Sequence, residues 1–270
     1  MYAENIGYDG IVKDATYDHC ADMDTLIYKG IAHIEQRHWW YRGRREIILR
    51  LLRQVGFIGS ADASRTILSV GCGSGEEIRF LGRFGKVYGI DPGEDAIRFC
   101  RAAGIGEQVT QASAEQIPFP DNHFDAVFIL DVLEHIRDEE RALAQIYRVL
   151  KPGGIVVISV PAYSWLWSRA DVRSHHFRRY TRLALEKKCS APGFSVLRMT
   201  YCNAILFLPL AAIKFLTRMW EPSCCVGAEV QMPPWAINNI LSWIFLLEAP
   251  LIAVANLPFG LSVFAVLRKK

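Results

Sequence analysis

The stretch ILSVGCGSGEE, residues 67–77, decides the fold. It starts as an apolar run typical of a buried strand, turns at Gly71, Gly73 and Gly75, and continues into an amphipathic helix. Glycines let a backbone turn sharply close to a ligand, and the N–H groups that begin the next helix then point at that ligand. The spacing is G-x-G-x-G, not the G-x-G-x-x-G of dinucleotide enzymes. We therefore expect a ligand-binding turn that includes Cys72, with an ordinary strand–helix turn as the alternative.

Short apolar runs and amphipathic helices alternate around this turn. Runs rich in β-branched residues are typical of parallel strands covered on both faces. Their alternation with helices predicts an α/β fold with a doubly wound sheet, whose ligands bind at the carboxyl ends of the strands. The predicted strands are residues 66–70, 86–90, 124–130, 154–160, 194–202 and 260–269.

Asp91 ends the second of these runs, in VYGIDPG, twenty residues after Gly71. A carboxylate at this place can accept hydrogen bonds from both hydroxyls of a ribose. A helix cap is the alternative for an isolated aspartate. Because the glycine turn lies upstream, we expect Asp91 to bind a ribose, with Pro92 beside it.

Four motifs in this order resemble the class I S-adenosylmethionine-dependent methyltransferases: VGCGSG, GIDPG, ASAEQIPFPDNHFDAVFILDVLEHI and RVLKPGGIVVISVP. The resemblance covers roughly residues 38–200. It implies a Rossmann-like sheet of seven mostly parallel strands, the last one antiparallel, with S-adenosylmethionine as cofactor. It also implies further cofactor contacts: Ser113, Ala114 and Glu115 at the adenine, Leu130 and Asp131 at the methionine part, and Tyr41 or Arg44 near the cofactor carboxylate. A solvated basic helix face is the alternative for Arg44.

Two histidines are candidate bases. Methyl transfer requires an in-line approach of a nucleophile and removal of its proton, and histidine is the usual base near neutral pH. His135 follows the strand that carries Leu130 and Asp131, so the fold puts it at the rim of the pocket. His176 matches a family segment better than its neighbour His175 does. We expect His176 and His135 to be catalytic.

That segment, HFRRYT at residues 176–181, resembles the H-x-R-R-Y-T of a bacterial branch acting on lipids, quinones, sugars and secondary metabolites. Arginines can clamp an anionic or carbonyl group. The resemblance therefore implies substrate contacts from Trp167, Arg178, Arg179 and Tyr180. The alternative is that the arginines face solvent and Thr181 caps the next helix.

The spacing D-x-x-E-H of Asp131, Glu134 and His135 resembles the metal-binding E-x-x-E-H of small-RNA 2′-O-methyltransferases and ubiquinone-pathway O-methyltransferases. Such ligands could hold a divalent ion that lowers the pKa of a hydroxyl. Against this, LEH is widespread in the superfamily without metal, and Asp131 replaces a longer glutamate. We expect a histidine base without a metal, and keep the metal as an alternative.

Two apolar segments, residues 203–220 and 235–256, separate the last two predicted strands. A single membrane crossing is excluded because both strands must pair in one sheet. The flanking tryptophans and basic residues suit a membrane interface. We favour an interfacial helical pair that also roofs the substrate site. A soluble lid or dimer surface and a membrane-entering hairpin stay open.

Composition limits the function classes. A net charge of +3 with 22% charged residues does not predict a nucleic-acid-binding protein. The N-terminus lacks a secretory pattern and the seven cysteines lack metal spacing, which together indicate free thiols in the cytoplasm. RNA methylation is disfavoured by this charge and by the apolar segments.

We expect four parts: an N-terminal arm and capping helix (1–56), a methyltransferase core (57–200), an apolar helical insertion (201–259) and the last strand (260–270). The expected function is methyl transfer to a hydroxyl of a hydrophobic or lipid-linked small molecule, in a cytoplasmic protein associated peripherally with a membrane. The alternatives are metal-assisted O-methylation and a non-catalytic, cofactor-binding membrane assembly partner.

Overall fold

The computed structural model describes residues 30–58, 64–217 and 232–270. The N-terminal arm expected before residue 30 lies outside the described residues, as does the end of the first apolar segment, residues 218–220.

A seven-stranded sheet in the order β3-β2-β1-β4-β5-β7-β6 forms the centre of the molecule. Strands β1 to β5 pair in parallel, and β7 lies antiparallel between β5 and β6. The predicted seven-stranded, mostly parallel sheet with an antiparallel last strand is therefore confirmed. The strands are β1 (Thr66–Val70), β2 (Lys86–Asp91), β3 (Val109–Gln111), β4 (Phe124–Leu130), β5 (Leu150–Pro161), β6 (Phe194–Cys202) and β7 (Ser262–Lys269).

Helices cover both faces of the sheet. Alternate strand residues point to opposite faces, so Leu68 and Ile67 enter two different buried clusters. Burial on both sides explains why the central strands are continuous apolar runs. The helices are α1 (residues 30–37), α2 (Trp39–Gln54), α3 (Glu76–Leu81), α4 (Glu94–Ala102), α5 (Glu139–Val149), α6 (Arg169–Arg173), α7 (Arg182–Ser190), α8 (Phe207–Thr217), α9 (Trp235–Leu246) and α10 (Glu248–Val254).

One strand was missed in the sequence-based prediction, and the start of β5 shows the largest shift among the predicted strand ends. The edge strand β3 was missed because Thr110 and Gln111 are exposed and leave no apolar run to recognise. Strand β5 begins at Leu150, before the two glycines of its predicted start, because Leu150 pairs with Phe124 ahead of a bulge.

Helices α8, α9 and α10 lie between β6 and β7 in the chain, and α9 packs against α2. Phe245 of α9 is fully buried and stacks on Trp40, with ring centroids 5.3 Å apart and planes 7° from parallel. Gly43 makes this approach possible, because a Cβ there would lie 2.0 Å from the Phe245 ring. The apolar insertion is therefore held on the helix that carries Tyr41 and Arg44.

Polar groups on the inner side of the insertion also bind the protein. Asn238 accepts a hydrogen bond from the Trp39 N–H (2.9 Å) and donates one to the Arg37 carbonyl (3.0 Å). It thereby satisfies one of the free N–H groups that begin α2. Glu248, fully buried at the start of α10, accepts from the Ile205 N–H at 2.7 Å.

The outer side of the insertion is an exposed apolar surface. Across the described ranges, one stretch, Trp235–Val254, is long and apolar enough to cross a membrane, judged by length and composition. Only 33% of its most apolar part is buried in the protein. We call its exposed side chains the apolar stripe: Trp235, Ile237, Ile240, Trp243, Leu247, Leu251 and Val254.

Phe245→Ala should reduce the free energy of unfolding by about 3–5 kcal/mol, because it empties a buried aromatic site between α9 and α2. Trp243→Ala, on the same helix but 72% exposed, is the matched control and should change the unfolding free energy by less than about 0.5 kcal/mol. Urea unfolding of the two variants measures both values. Equal losses would contradict the described packing of α9.

Candidate functional site

The glycine turn joins β1 to α3 and stays attached to β2. The N–H groups of Gly71 and Cys72 both donate to the Ile90 carbonyl, at 2.8 and 3.1 Å. Gly71, Gly73 and Gly75 have φ values of 73°, 48° and 79°, in the left-handed region that favours glycine. The backbone conformation of the turn therefore favours glycine at all three positions.

The three glycines differ in what surrounds them. A Cβ on Gly71 would lie 2.5 Å from Val132, and one on Gly75 would lie 2.2 Å from Ile105. A Cβ on Gly73 would meet no described atom within 4 Å. Gly71 and Gly75 therefore allow close packing of the protein, whereas Gly73 borders open space in which a ligand can approach the backbone.

Asp91 lies beside that open space at the carboxyl end of β2. Its Oδ2 accepts a hydrogen bond from the Gly73 N–H and its Oδ1 accepts one from the Gly93 N–H, both at 2.9 Å. Each carboxylate oxygen has a second lone pair available for a ligand hydroxyl. Pro92 follows directly, and its carbonyl accepts from the Gln111 side chain at 3.1 Å.

The loop after β3 lies next to Asp91, because the Ala112 N–H donates to the Asp91 carbonyl at 3.0 Å. Within this loop the Ser113 hydroxyl accepts from the Glu115 N–H at 3.2 Å, and Ala114 is buried. The Glu115 carboxylate accepts from the Asp138 N–H at 3.1 Å. Ser113, Ala114 and Glu115 are thus brought to the same edge of the sheet as Asp91.

Arg44 forms a buried ion-pair cluster with Asp131 and Glu77. Its Nη1 donates to Asp131 Oδ2 at 2.6 Å, and its Nη2 donates to Glu77. Burial opposes the charge of Arg44, but Glu77 and Asp131 raise its pKa above the ordinary value. Burial also raises the pKa of Tyr41, whose ring lies 5.0 Å from the guanidinium, to about 12. Both terminal nitrogens of Arg44 therefore have protein carboxylates as partners, whereas the sequence predicted a cofactor carboxylate.

Asp131 follows the buried Leu130 at the end of β4 with φ of 56°. Residues other than glycine seldom adopt this conformation, and it costs roughly 1 kcal/mol or more. The Ser159 hydroxyl donates to Asp131 Oδ1 at 2.7 Å, so both carboxylate oxygens are bound. The strained backbone is held in place by these two side-chain contacts.

His135 and His176 lie against each other, with ring centroids 4.5 Å apart and planes at 87°. Nδ1 of His176 lies 2.9 Å from Oδ1 of the buried Asp171. Although burial opposes ionisation of Asp171, His176 and Arg179 hold its pKa well below the ordinary value. An ionised carboxylate can only accept a hydrogen bond, so Nδ1 of His176 is the donor in its contact with Asp171. Burial, followed by the neighbouring His176, lowers the pKa of His135.

The other side chains of the HFRRYT segment have partners inside the protein. Arg179 donates to both Asp171 oxygens, at 2.7 and 2.9 Å, and to the Ala162 carbonyl at 3.1 Å. Tyr180 is buried and donates to Glu139 at 2.5 Å, and Arg178 pairs with the same carboxylate at 2.9 Å.

These contacts differ from the predicted substrate contacts of Arg178, Arg179 and Tyr180, because their charges and hydroxyl are already bound by protein groups. The alternative reading of Thr181 is observed: its hydroxyl accepts from the Ala184 N–H at 3.2 Å and caps α7.

An aromatic cluster that the sequence did not predict lies between β5 and α8. Phe207 contacts Tyr163, Trp165 and Phe259, with ring centroids 5.7, 6.0 and 5.5 Å away. The run YSWLW after β5 was a possible signal, although only its Trp167, which is partly exposed, was singled out. The cluster gives this end of the sheet an apolar wall.

Glu134, His135 and His176 bring one ligand atom each within 4.8 Å of one another. Burial and the nearby Asp131 raise the pKa of Glu134, and its Oε2 has no hydrogen-bond partner among the described residues. This set differs from Asp131, Glu134 and His135, the metal ligands of the alternative drawn from the sequence, because Asp131 is bound by Arg44 and Ser159.

Comparison with known proteins identifies the central part of the chain. Residues 68–158 match the family model described as "Methyltransferase domain". The ubiquinone/menaquinone biosynthesis C-methyltransferase UbiE of Psychromonas ingrahamii is 36% identical over 42% of this chain and 38% of its own length. The sterol 24-C-methyltransferase of Yarrowia lipolytica is 31% identical over 63% of this chain and 43% of its own length. The chain thus spans less than half of these two relatives.

A similar fold occurs in the geranyl diphosphate C-methyltransferase of Streptomyces coelicolor, solved with S-adenosyl-L-homocysteine, Mg²⁺ and geranyl diphosphate. The TM-score is 0.53 at 14% identity, over 81% of this chain and 77% of that one. The matched family model therefore identifies residues 68–158 as a methyltransferase domain, which contains the glycine turn and Asp91, and the solved structure shares its fold.

Proposed function

We propose that the protein transfers the methyl group of S-adenosylmethionine to a hydrophobic or lipid-linked small molecule. The observation that carries this proposal is the fixed Asp91 carboxylate beside the open space at Gly73. This arrangement suits the ribose of a nucleoside and lies within the matched methyltransferase domain. The bound cofactor supplies an electrophilic methyl group, and the protein's part is to orient it and to remove a proton from the acceptor.

The adenine end and the methionine end of the cofactor lie next to different residues in this proposal. Ser113, Ala114 and Glu115 border the adenine in this proposal, next to the ribose at Asp91. At the other end, Asp131 and Glu77 carry two negative charges against the single positive charge of Arg44. A net negative charge attracts an ammonium group rather than a carboxylate. We therefore assign this cluster to the amino group of the methionine part, in place of the carboxylate contact expected for Arg44.

His176 is the base that the geometry favours. Asp171 orients its ring through Nδ1 and leaves Nε2 to accept a proton, an arrangement used in many acid–base sites. His135 lies against the same ring and helps to position it. A base of this kind suits a hydroxyl acceptor. The relatives named above are C-methyltransferases, so carbon is the other candidate acceptor atom. Identifying the methylated atom in the product distinguishes the two.

The acceptor is apolar in this proposal because apolar surfaces border the carboxyl edge of the sheet. The aromatic cluster around Phe207 forms a wall, and the apolar stripe lies on the outer side of the insertion. The relatives' names refer to a quinone and a sterol, which are also apolar molecules.

We further propose that the apolar stripe contacts the cytoplasmic face of a membrane. Asn238 and Glu248 lie on the opposite side of the same helices and bind backbone groups of the protein. These polar groups must stay on the protein, since burying them in lipid would be costly. The helices then lie on the membrane surface instead of crossing it.

Metal-assisted O-methylation is the second candidate, and one observation favours it. A carboxylate oxygen of the buried Glu134 lies within 4.8 Å of ring nitrogens of His135 and His176, and Glu134 Oε2 has no hydrogen-bond partner among the described residues. A carboxylate and two imidazoles suit a divalent transition metal or zinc, and Asp171 would then orient His176 as an outer-sphere partner. These residues would hold a cation that lowers the pKa of an acceptor hydroxyl.

Asp91→Ala should weaken S-adenosylmethionine binding at least about 100-fold, because two charge-assisted hydrogen bonds to the ribose are lost. Isothermal titration calorimetry measures the affinity. Asp95→Ala, at an exposed carboxylate paired with Arg98, is the control and should bind like the wild type. Unchanged affinity in Asp91→Ala would disprove the ribose assignment.

His176→Ala should lower kcat by about 10²–10⁴-fold while cofactor affinity stays the same, since only the proton acceptor is removed. Transfer of a labelled methyl group into an apolar extract is the readout. His175→Asn is the control, because asparagine tolerates the positive φ of His175. Full activity of His176→Ala would remove it from the mechanism. A wild-type protein that binds cofactor but methylates nothing in the extract would support the non-catalytic assembly role.

Glu134→Gln tests the metal candidate. If a cation is bound, the wild type should retain about one equivalent of zinc or manganese after dialysis and Glu134→Gln should retain at least about tenfold less. Elemental analysis gives the metal content and needs no activity assay. If neither protein binds metal and chelators leave methyl transfer unchanged, the histidine base acts without a metal.

A further inference from the structure

An open groove with a volume of about 500 Å³ lies between α2, α3 and the end of α9, outside the cofactor site. Four guanidinium groups, two from α2, one from α3 and one from the turn after α3, line it, together with two carboxylates and three apolar side chains. The lining residues are Arg42, Arg45, Arg79 and Arg83, Glu46 and Glu76, and Leu49, Phe80 and Leu246. We call it the arginine groove.

Positive charge is in excess in the arginine groove. Glu46 pairs with Arg50, which does not line the groove, at 3.0 Å, and Glu76 lies 3.6 Å from Arg79. The guanidinium groups of Arg45 and Arg83 lie over the Phe80 ring, with their Cζ atoms 5.6 and 4.8 Å from the ring centroid. The aromatic ring thus holds two positive charges next to each other. Their planar groups suit the oxygens of a phosphate, which arginine binds in bidentate fashion.

One of these arginines also has an unused donor. The Nε of Arg45 is buried and has no hydrogen-bond partner in the described part of the chain. A buried N–H without an acceptor is unfavourable, because it has lost its hydrogen bonds to water. An anion in the groove would offer an acceptor to the arginine side chains.

The arginine groove borders the apolar stripe. Leu246 lines the groove, while its neighbour Leu247 and the nearby Trp243 are 60% and 72% exposed on the stripe. Proteins that lie on a membrane combine inserted apolar side chains with basic groups at the level of the lipid headgroups. The apolar stripe and the arginine groove lie side by side and would supply these two kinds of contact.

We propose that the arginine groove binds the phosphate of an anionic phospholipid in the bilayer that the apolar stripe contacts. This inference rests on the membrane contact proposed above and does not depend on methyl transfer. Guanidinium groups of α2, of α3 and of the turn after α3 bind the headgroup phosphate, and Trp243 and Leu247 enter the acyl region beside it. The negative charge of the lipid and the excess positive charge of the groove are complementary.

Vesicle cosedimentation of the full chain tests the proposal. One vesicle preparation is phosphatidylcholine alone, and the other contains about 30% phosphatidylglycerol, as a source of negative surface charge. The wild type should partition at least about tenfold more strongly to the anionic vesicles, and raising NaCl from about 0.1 to 0.5 M should remove most of the difference. Arg42→Gln/Arg83→Gln changes two exposed arginines and should reduce binding to anionic vesicles about tenfold or more.

The matched control is Arg101→Gln/Arg268→Gln, which removes the same charge at exposed positions outside the groove. It should reduce binding less than about twofold if local contacts, and not total charge, attract the lipid. Circular dichroism and S-adenosylmethionine affinity, unchanged in both double variants, show that neither loses its fold.

Each other outcome overturns a defined part of the account. Equal binding to both vesicle types, or equal losses in the two double variants, disproves the headgroup site and leaves the membrane contact standing. Absence of binding to any vesicle disproves both, and self-association that buries the stripe would then explain its exposure. Binding of inorganic phosphate without vesicle binding would assign the groove to a soluble anion and also contradict the proposal. Methyl transfer is measured separately and is unaffected by these results.

Discussion

The buried guanidinium of Arg44 is the interaction on which the candidate site depends. It joins three elements that are distant in the chain: α2, which carries it, α3 through Glu77, and the end of β4 through Asp131. A buried charge is tolerated only when it is paired and hydrogen-bonded. The two carboxylates pair with this charge and fix α2 above the carboxyl edge of the sheet, while Arg44 Nε has no hydrogen-bond partner among the described residues. The same carboxylates border the space assigned to the methionine part of the cofactor, so one cluster has a structural and a proposed binding role.

The apolar insertion also packs against α2. Asn238 caps the first turn of α2, and Phe245 packs against Trp40 over Gly43. Arg44 is one residue after Gly43, so the contact with α9 and the contact with the cofactor edge lie within the same helical turn. A membrane that orders α9 would therefore stabilise the position of α2. This arrangement offers a direct physical connection between the proposed membrane surface and the cofactor site.

Local patterns predicted the sheet well, because burial on both faces forces continuous apolar runs. The bounds of β1 and β6 match the predicted ones, whereas the exposed edge strand β3 left no such run. Residue types at the site were also recognised, since the glycine turn and Asp91 are local signals. Their partners were not. Asp131 is 87 residues from Arg44, and Glu139 is 41 residues from Tyr180, so no spacing rule could pair them.

The sequence also does not show which arginines are paired with carboxylates, because their partners can be distant in the chain. In the sequence, Arg178 and Arg179 looked available for a substrate, but Glu139 and Asp171 neutralise them. Arg42, on α2, and Arg83, in the turn after α3, meet only in the folded chain. A crystal structure of the full chain with S-adenosylhomocysteine tests the central claim most directly. The ribose hydroxyls should bind Asp91, the adenine should lie beside Ser113–Glu115, and the amino group should lie at the Arg44–Asp131–Glu77 cluster. A nucleoside bound elsewhere, or a ribose without contact to Asp91, would contradict it.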